Sequence, residues 1–423
     1  MASLTIWQQS EVVRKKQFPI WQTQKFNVLL DFINKGEVEK IGERDYRIPA
    51  ETEFGGRFGT TDLQMGDMGR GSMPQGLAMI QSFFTYRLNF EFDKLSIQAT
   101  TDKSVAIQNP FLKTVAKGYN EMKIYMDKVY HGDGTAVLAT ATAFSNATGV
   151  TVYTMDPAFG TQLLRRGQYF TIYNNALTTI LSPGVLRATG VNALTLTLSG
   201  IVPGASATDK ICFEGVSGAN PTGPRGLAYW INSATTGTTA NINRALEPAI
   251  ISKSVDAAQT PYSVEHVMGL YDRILNDRAD VANNLLAVVA PAQRASAFNQ
   301  MMAIQNILLD STKGEAVDRL PSLKGKPAFM YGGVPHFVDI HADTTKSNFI
   351  APATLWGRAV LSELDFYQTD GKTGSDGRFI QLYGGSGGPA NGTWFAYLAS
   401  ENPYTIDPGA QGVIFNLPRP AFH

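Results

Sequence analysis

The feature that most constrains this chain is the stretch from Asn109 to Gly134, whose pattern predicts a long amphipathic helix stopped abruptly at His131-Gly132-Asp133-Gly134. On a helical wheel Phe111, Val115, Tyr119, Met122, Tyr125, Met126, Val129 and Tyr130 share one side. Lys113, Lys117, Asn120, Glu121, Lys123, Asp127 and Lys128 take the other, and only Ile124 breaks the pattern. Pro110 suits a first helical turn, where its missing N–H needs no partner, and Gly132 is expected to supply a left-handed cap. Such a helix runs about six turns, roughly 30 Å. It follows a Gly-rich segment flanked by β-like runs and precedes a mostly β half.

A length of 423 residues allows one large domain or two to four smaller ones. Charged residues make up only 17% of the chain, while Gly, Thr, Ser and Asn are abundant. That balance suits a protein that buries much of its surface against copies of itself, or a secreted β protein. The 36 basic residues cancel the 36 acidic ones, so whole-chain charge predicts no nucleic-acid or membrane partner. Cys212 is the single cysteine, which excludes an internal disulfide and a Cys-based zinc site. It lies in a strand-like run, Lys210 to Glu214, and is expected to be a buried small hydrophobe. Met1 to Trp7 lacks the basic start and apolar core of a signal peptide. No apolar run approaches the roughly 20 residues that span a bilayer. Manufacture and use in a cytoplasm are therefore expected.

Residues 1–48 scatter apolar anchors (Ile6, Trp7, Val12, Val13, Phe18, Ile20, Trp21) among polar ones, with a short helix predicted at Val28 to Ile33. This reads as an arm that packs on something else. From Ile48 to Phe92 glycines recur, with Met65, Met68, Met73 and Met79 among them, before an alternating strand-like run ends at Phe92. So long and Gly-rich an excursion is a poor loop inside a compact monomer and makes sense if neighbouring subunits hold it. Residues 151–215 carry short strands at hairpin spacing, which predicts a small antiparallel barrel. Asn220 to Gly226 reads as a linker. From Val264 the helical period returns, then a buried strand at Leu285 to Ala290 and a second helix, so an α+β subdomain is expected over about 263–365. The end is β again, around Phe379 to Tyr383 and Thr393 to Leu398, separated by a glycine run at Gly384 to Gly388.

No residue pattern here argues for catalysis. His336-Phe337-Val338-Asp339-Ile340-His341 is the one His/Asp cluster, but in a strand its two histidines point to opposite faces, so a sheet-edge strand is the expected reading. His131 lies where a helix must stop. The glycine clusters lack the Gly-Lys-Ser/Thr and the strand–turn–helix frame of a phosphate loop. No nucleophile elbow, His-Glu-x-x-His or EF-hand pattern occurs. Catalytic, cofactor and metal residues are therefore assigned to none, and no enzyme is expected.

The order of these parts resembles the major capsid protein of tailed bacteriophages, the shell fold named after phage Hong Kong 97. The resemblance rests on residues 1–48 as an N-terminal arm, 49–96 as an extended loop, and the helix ending in Tyr130-His131-Gly132-Asp133-Gly134 as a spine helix. Gly226-Leu227-Ala228-Tyr229-Trp230-Ile231, followed by Ile242-Asn243-Arg244, is similar to the family as well. It implies an α+β fold with a peripheral domain at 97–150 and 216–262, an inserted β domain at 151–215, an axial domain at 263–365 and closing β segments at 366–423. It also implies self-association into pentamers and hexamers that close into an icosahedral shell around double-stranded DNA. The setting would be a virion capsid assembled in a bacterial cytoplasm.

The same resemblance implies Arg57, Phe58, Met65, Met68, Arg70 and Met73 as intersubunit contacts of the extended loop. Lys113, Lys117, Lys123 and Lys128 would face packaged DNA through weak, phosphate-directed contacts. A scaffolding protein, a portal and cement proteins would be the other partners; no cofactor and no membrane is implied. Two departures stand out: the inserted β domain, and the absence of a long charged N-terminal extension, which favours a separate scaffold. Some members lock their shells through a lysine of the extended loop, and this chain has none between Lys40 and Lys94. An encapsulin-type compartment, or a β-rich enzyme or adhesin, are the alternatives.

Overall fold

The computed structural model describes residues 28–36, 38–53, 73, 75–93, 110–147, 149–156, 160–161, 163–192, 194–282, 284–304, 328–352, 354–366, 380–383 and 389–418. The chain divides into two compact units, one of residues 1–30, 83–127 and 360–401, the other of 31–82, 128–359 and 402–423.

The first unit is built on one long strand, Pro389–Thr405, which pairs antiparallel with Phe84–Asp93 and with Ile380–Tyr383 and also neighbours Trp356–Phe366. Ten residue pairs in unbroken register, Asp93 with Gly392 through Phe84 with Glu401, join the two ends of the chain. The expected spine helix forms at Pro110–Val129. It lies against this sheet through Tyr119, whose ring meets Tyr397 edge-on at 6.1 Å, while Phe90 meets the same ring at 6.4 Å.

The second unit holds a six-stranded mixed sheet in the order Lys253–Asp256, Gly412–Phe415, Ser347–Ile350, Leu286–Val289, Val334–Val338, Ala328–Tyr331. Two of its pairs are parallel, Lys253–Asp256 with Gly412–Phe415 and Leu286–Val289 with Val334–Val338. The helical stripe read from Val264 forms the helix Val264–Asp277, capped by the Ser263 hydroxyl and burying Val267, Leu270 and Ile274 in the core of this sheet. Leu286–Val289 is buried along its whole length, as a parallel central strand requires. The sheet recruits Lys253–Asp256 and Gly412–Phe415 from outside the expected 263–365 span, through long-range pairing that no local pattern announces. The strand read as a sheet edge at His336 is not one: Val334–Val338 lies between two neighbours, and His336 is buried.

The predicted barrel is present and closed, in the cyclic order Thr195–Leu198, Val150–Met155, Val137–Ala147, Lys210–Phe213, Tyr169–Tyr173, Leu186–Val191. Tyr153, Phe170, Ile172, Leu196, Leu198 and Ile211 fill it. It starts earlier than the expected residue 151, because Val137–Ala147 is a barrel strand. Its Ala- and Thr-rich sequence carries little hydrophobic alternation, so the period-two signal is weak there. Cys212 is buried, as expected.

Two local readings are corrected. Gly132 does not supply the left-handed cap; the positive φ falls at Gly134, at +85°. Nor is Asn220 to Gly226 a loose linker: Thr222–Arg225 pairs with Asp133–Thr135, and the Leu227 N–H donates to the Tyr130 carbonyl at 2.7 Å. A Cβ on Gly226 would sit 2.0 Å from the Tyr130 oxygen, so the backbone approach itself demands glycine. The segment closes the helix end rather than leading away from it.

At the base of the expected extended loop, Asp45–Glu53 and Gln75–Ser82 form an antiparallel hairpin, extended on one side by Glu39–Lys40. Tyr46, Ile48, Met79 and Gln81 bury one face of it. The anchors Ile6 to Trp21 and the glycine run Gly384 to Gly388 lie outside the described residues.

Candidate assembly surface and a buried charge cluster

On the hairpin Leu77 is 39% exposed and Ile80 38%; Met73, just before its second strand, is 84% exposed, and Ile41, just after the short strand Glu39–Lys40, is exposed too. Leu77 and Ile80 lie on opposite faces of the strand, and exposed apolar side chains on both faces of a hairpin are the kind that a partner covers. Arg47 and Glu39 pair across the outer edge at 3.1 Å. Of the residues expected to make loop contacts, Met73 is exposed; Arg57, Phe58, Met65, Met68 and Arg70 lie outside the described residues.

The four lysines expected on one polar helix face do not behave alike. Lys117 is half-buried. Lys123 is half-buried with its ammonium 4.6 Å from the centroid of the Tyr119 ring. For Lys113 the helix backbone alone is described. Lys128 departs from the expectation: it is 8% exposed, and burial pulls its pKa below the ordinary lysine value against the opposing pull of Asp339. The two-sided wheel fails in the last turns because the helix end is covered on both sides, burying Ile124, Asp127 and Lys128 alike.

Lys128 belongs to a buried cluster that periodicity did not reveal. His131 Nε2 lies 2.9 Å from Asp339 Oδ2, with both side chains buried. Asp339 Oδ1 accepts the His341 N–H at 2.9 Å, and the Asp339 N–H donates to the Val289 carbonyl. Burial alone would raise the Asp339 pKa. The charge and hydrogen bond of His131, with the contributions of His341, outweigh it and hold the carboxyl below its usual range. The His341 ring is pushed down to about 3 by burial, with Lys128, His131 and Arg165 adding to the shift against Asp339. The members are up to 213 residues apart in sequence, 341 against 128, and the only advance sign was the His/Asp run at 336–341.

His336 is a satisfied core histidine. Its Nδ1–H donates to the Val334 carbonyl at 2.8 Å, Nε2 accepts the Tyr262 hydroxyl at 2.6 Å, and Phe329, Tyr331 and Phe349 enclose the ring. Burial pushes its pKa down to about 4. None of these groups forms a nucleophile–base pair opening to a cleft.

No family model and no curated protein matches this sequence. Among solved structures, the chain aligns with the capsid asymmetric unit of cyanophage A-1(L) at a TM-score of 0.51 and 12% identity, over 98% of this chain and 100% of that one. The capsid of the empty GTA particle aligns at 0.47 and 8% identity over 95% and 94% of the two chains. The capsid of Myoviridae phage XM1 aligns at 0.44 and 8% over 99% and 100%. The full-length alignment with the cyanophage chain shows the fold: an α+β capsid fold of the Hong Kong 97 kind, here with a closed six-stranded barrel inserted.

Proposed function

We propose, from this capsid fold, that the chain is the major capsid protein of a tailed phage, assembling through pentamers and hexamers into an icosahedral shell around double-stranded DNA. A fold alone does not fix a function. The observation that supports the reading is the hairpin at the base of the loop, which leaves Leu77 and Ile80, and Met73 beside it, exposed in the single chain. In a shell, heterologous contacts repeat around each symmetry axis until they close, and obligate interfaces of this sort bury on the order of 2,000–5,000 Å². The hairpin is then the stem of an extended loop, with Arg57, Phe58, Met65, Met68, Arg70 and Met73 reaching a neighbour. Residues 1–48 serve as the arm, the spine helix Pro110–Val129 belongs to the peripheral domain, and the six-stranded sheet, which adds Lys253–Asp256 and Gly412–Phe415 to the 263–365 span, is the axial domain.

The role is structural rather than catalytic. Lys117 and Lys123, with Lys113, offer a modest cationic strip for salt-screened phosphate contact; buried Lys128 is not part of it. A separate scaffolding protein, a portal and cement proteins complete the assembly, in a host bacterial cytoplasm. The test is expression of the chain with its scaffold, followed by sedimentation and negative-stain imaging. Closed particles or capsomers support the reading. A monodisperse monomer that resists protease throughout residues 1–93 contradicts it.

A further inference from the structure

We propose that Asp127, Asp339 and His341 form a buried binding site for one divalent transition-metal ion, Zn²⁺ by preference, where the end of the long helix meets the loop after Val334–Val338. The inference does not depend on assembly into a shell.

Each of the three residues brings one ligand atom, a carboxylate oxygen or a ring nitrogen, and these atoms lie within 4.8 Å of one another. Asp127 comes from the last turn of the helix Pro110–Val129, Asp339 and His341 from the loop that follows Val334–Val338. The two aspartates are wholly buried. The donor set fits zinc: imidazole nitrogen suits first-row transition metals, carboxylate oxygen is an accepted zinc ligand, and two ionised carboxylates match the charge of the ion. Zinc bonds of about 2.0–2.2 Å place tetrahedral neighbours about 3.4 Å apart, so the three atoms have at most about 1.4 Å to close, within reach of side-chain rotation. A water completes a four-coordinate shell.

His341 supplies a second and independent observation. It is 4% exposed, and its Nε2 is buried without a hydrogen-bond partner among the described residues. Buried polar atoms are ordinarily paired, and a nitrogen left over beside two buried carboxylates asks for a ligand. Burial also keeps the ring neutral, the form whose lone pair can bind a metal.

The carboxylates are held as ligating carboxylates are. Asp339 Oδ2 lies 2.9 Å from His131 Nε2, and Oδ1 accepts the His341 N–H at 2.9 Å. An ionised carboxylate has about four lone-pair sites, so neither oxygen is used up. A histidine on the far side of a ligating group is the kind of outer partner that fixes its orientation. Asp127 is oriented likewise, its Oδ1 accepting the Leu30 N–H at 2.9 Å. His336, of the same His/Asp run, takes no part, because both its ring nitrogens are bonded within the core.

Lys128, His131 and Arg165 also act on the His341 ring as positive groups. They oppose any cation, and this selects among metals. Ca²⁺ and Mg²⁺ prefer all-oxygen shells and gain little from the imidazole. A transition-metal ion gains a strong bond to the ring nitrogen that offsets the repulsion. Once bound, it ties the helix end to the loop at the same place as the His131–Asp339 hydrogen bond.

The test uses the untagged full chain, warmed with equal amounts of Zn²⁺, Mg²⁺ and Ca²⁺ so that local opening admits the ion, then dialysed at neutral pH. Bound metal is counted by inductively coupled plasma mass spectrometry. About one zinc ion per chain is expected, with little of the other two. His341→Gln and Asp127→Asn, close in size to the residues they replace, should each weaken zinc binding by about tenfold or more, while exposed Asp280→Asn should leave it unchanged. Cobalt(II) offered to the unaltered chain should give the visible absorption of a four-coordinate site, a readout that needs no variant to fold. No bound metal above the buffer blank in the unaltered chain, equal zinc in both ligand variants, or a preference for Ca²⁺ or Mg²⁺ overturns the proposal.

Discussion

His131 and Asp339 form a buried hydrogen-bonded pair at 2.9 Å across 208 residues of sequence, tying the end of the long helix to the loop that leaves the central sheet. Removing Asp339 leaves the buried His131 ring nitrogen without its partner, which typically costs about 1–3 kcal/mol. Asp339→Ala should therefore lower the urea midpoint sharply with little change in slope, whereas exposed Asp280→Ala should leave it within about 0.5 kcal/mol of the unaltered chain. Equal midpoints for the two variants would remove the pair from the account.

Glycine substitutions should divide by geometry. Gly226→Ala drives a Cβ to 2.0 Å from the Tyr130 carbonyl oxygen, a backbone atom that cannot step aside. A loss of several kcal/mol, or failure to fold, is expected. Gly269 lies within the helix Val264–Asp277 with open space where its Cβ would go. Gly269→Ala should raise stability by about 0.5–1 kcal/mol through helix propensity. Thermal denaturation of both variants checks the contrast, and a tolerated Gly226→Ala would contradict it.

Stability should decline on acidification from a source other than carboxylates. His336 and His341 are held at about 4 and about 3 in the folded chain, below the unfolded value of about 6.5. Between those values the unfolded state binds more protons, so the stability these neutral rings permit is complete above about pH 6.5 and lost as pH falls toward their folded values. Unfolding free energies measured between pH 7.5 and pH 4 should fall less steeply in His341→Gln. A slope equal to that of the unaltered chain would show that the ring does not titrate in this window.

Shells of this chain should be held without covalent cross-links. No lysine lies between Lys40 and Lys94, and Cys212 is buried. Arginine, always protonated, cannot replace the lysine that isopeptide formation needs. Particles boiled in detergent and reductant should run as a single band at the monomer mass; a ladder of covalent oligomers would refute this.

What was legible in the sequence was what short-range pattern encodes. The helix Pro110–Val129, the helix Val264–Asp277, the buried strand Leu286–Val289 and four of the barrel strands all follow from period and turn residues. The hidden parts are those made by distant pieces of chain. Gly412–Phe415 enters the sheet beside Lys253–Asp256, Thr222–Arg225 closes on Asp133–Thr135, and Lys128 turns inward where a helical wheel places it outward. The His131–Asp339 pair has the same origin. Neither residue's neighbours in sequence carry any sign of the other, because the contact is set by tertiary packing.

The central claim is that the exposed apolar side chains of this hairpin, Leu77 on one face and Ile80 on the other, belong to an assembly surface. The most direct measurement is analytical ultracentrifugation with negative-stain imaging of the full chain beside a variant carrying Leu77→Asp and Ile80→Asp. Both positions are exposed in the single chain, so circular dichroism should show both proteins folded. The account predicts capsomers or closed particles for the unaltered chain and a folded species arrested at low mass for the variant. Particles of normal size from the variant, or a monomer from the unaltered chain under every assembly condition with its scaffold, would contradict it.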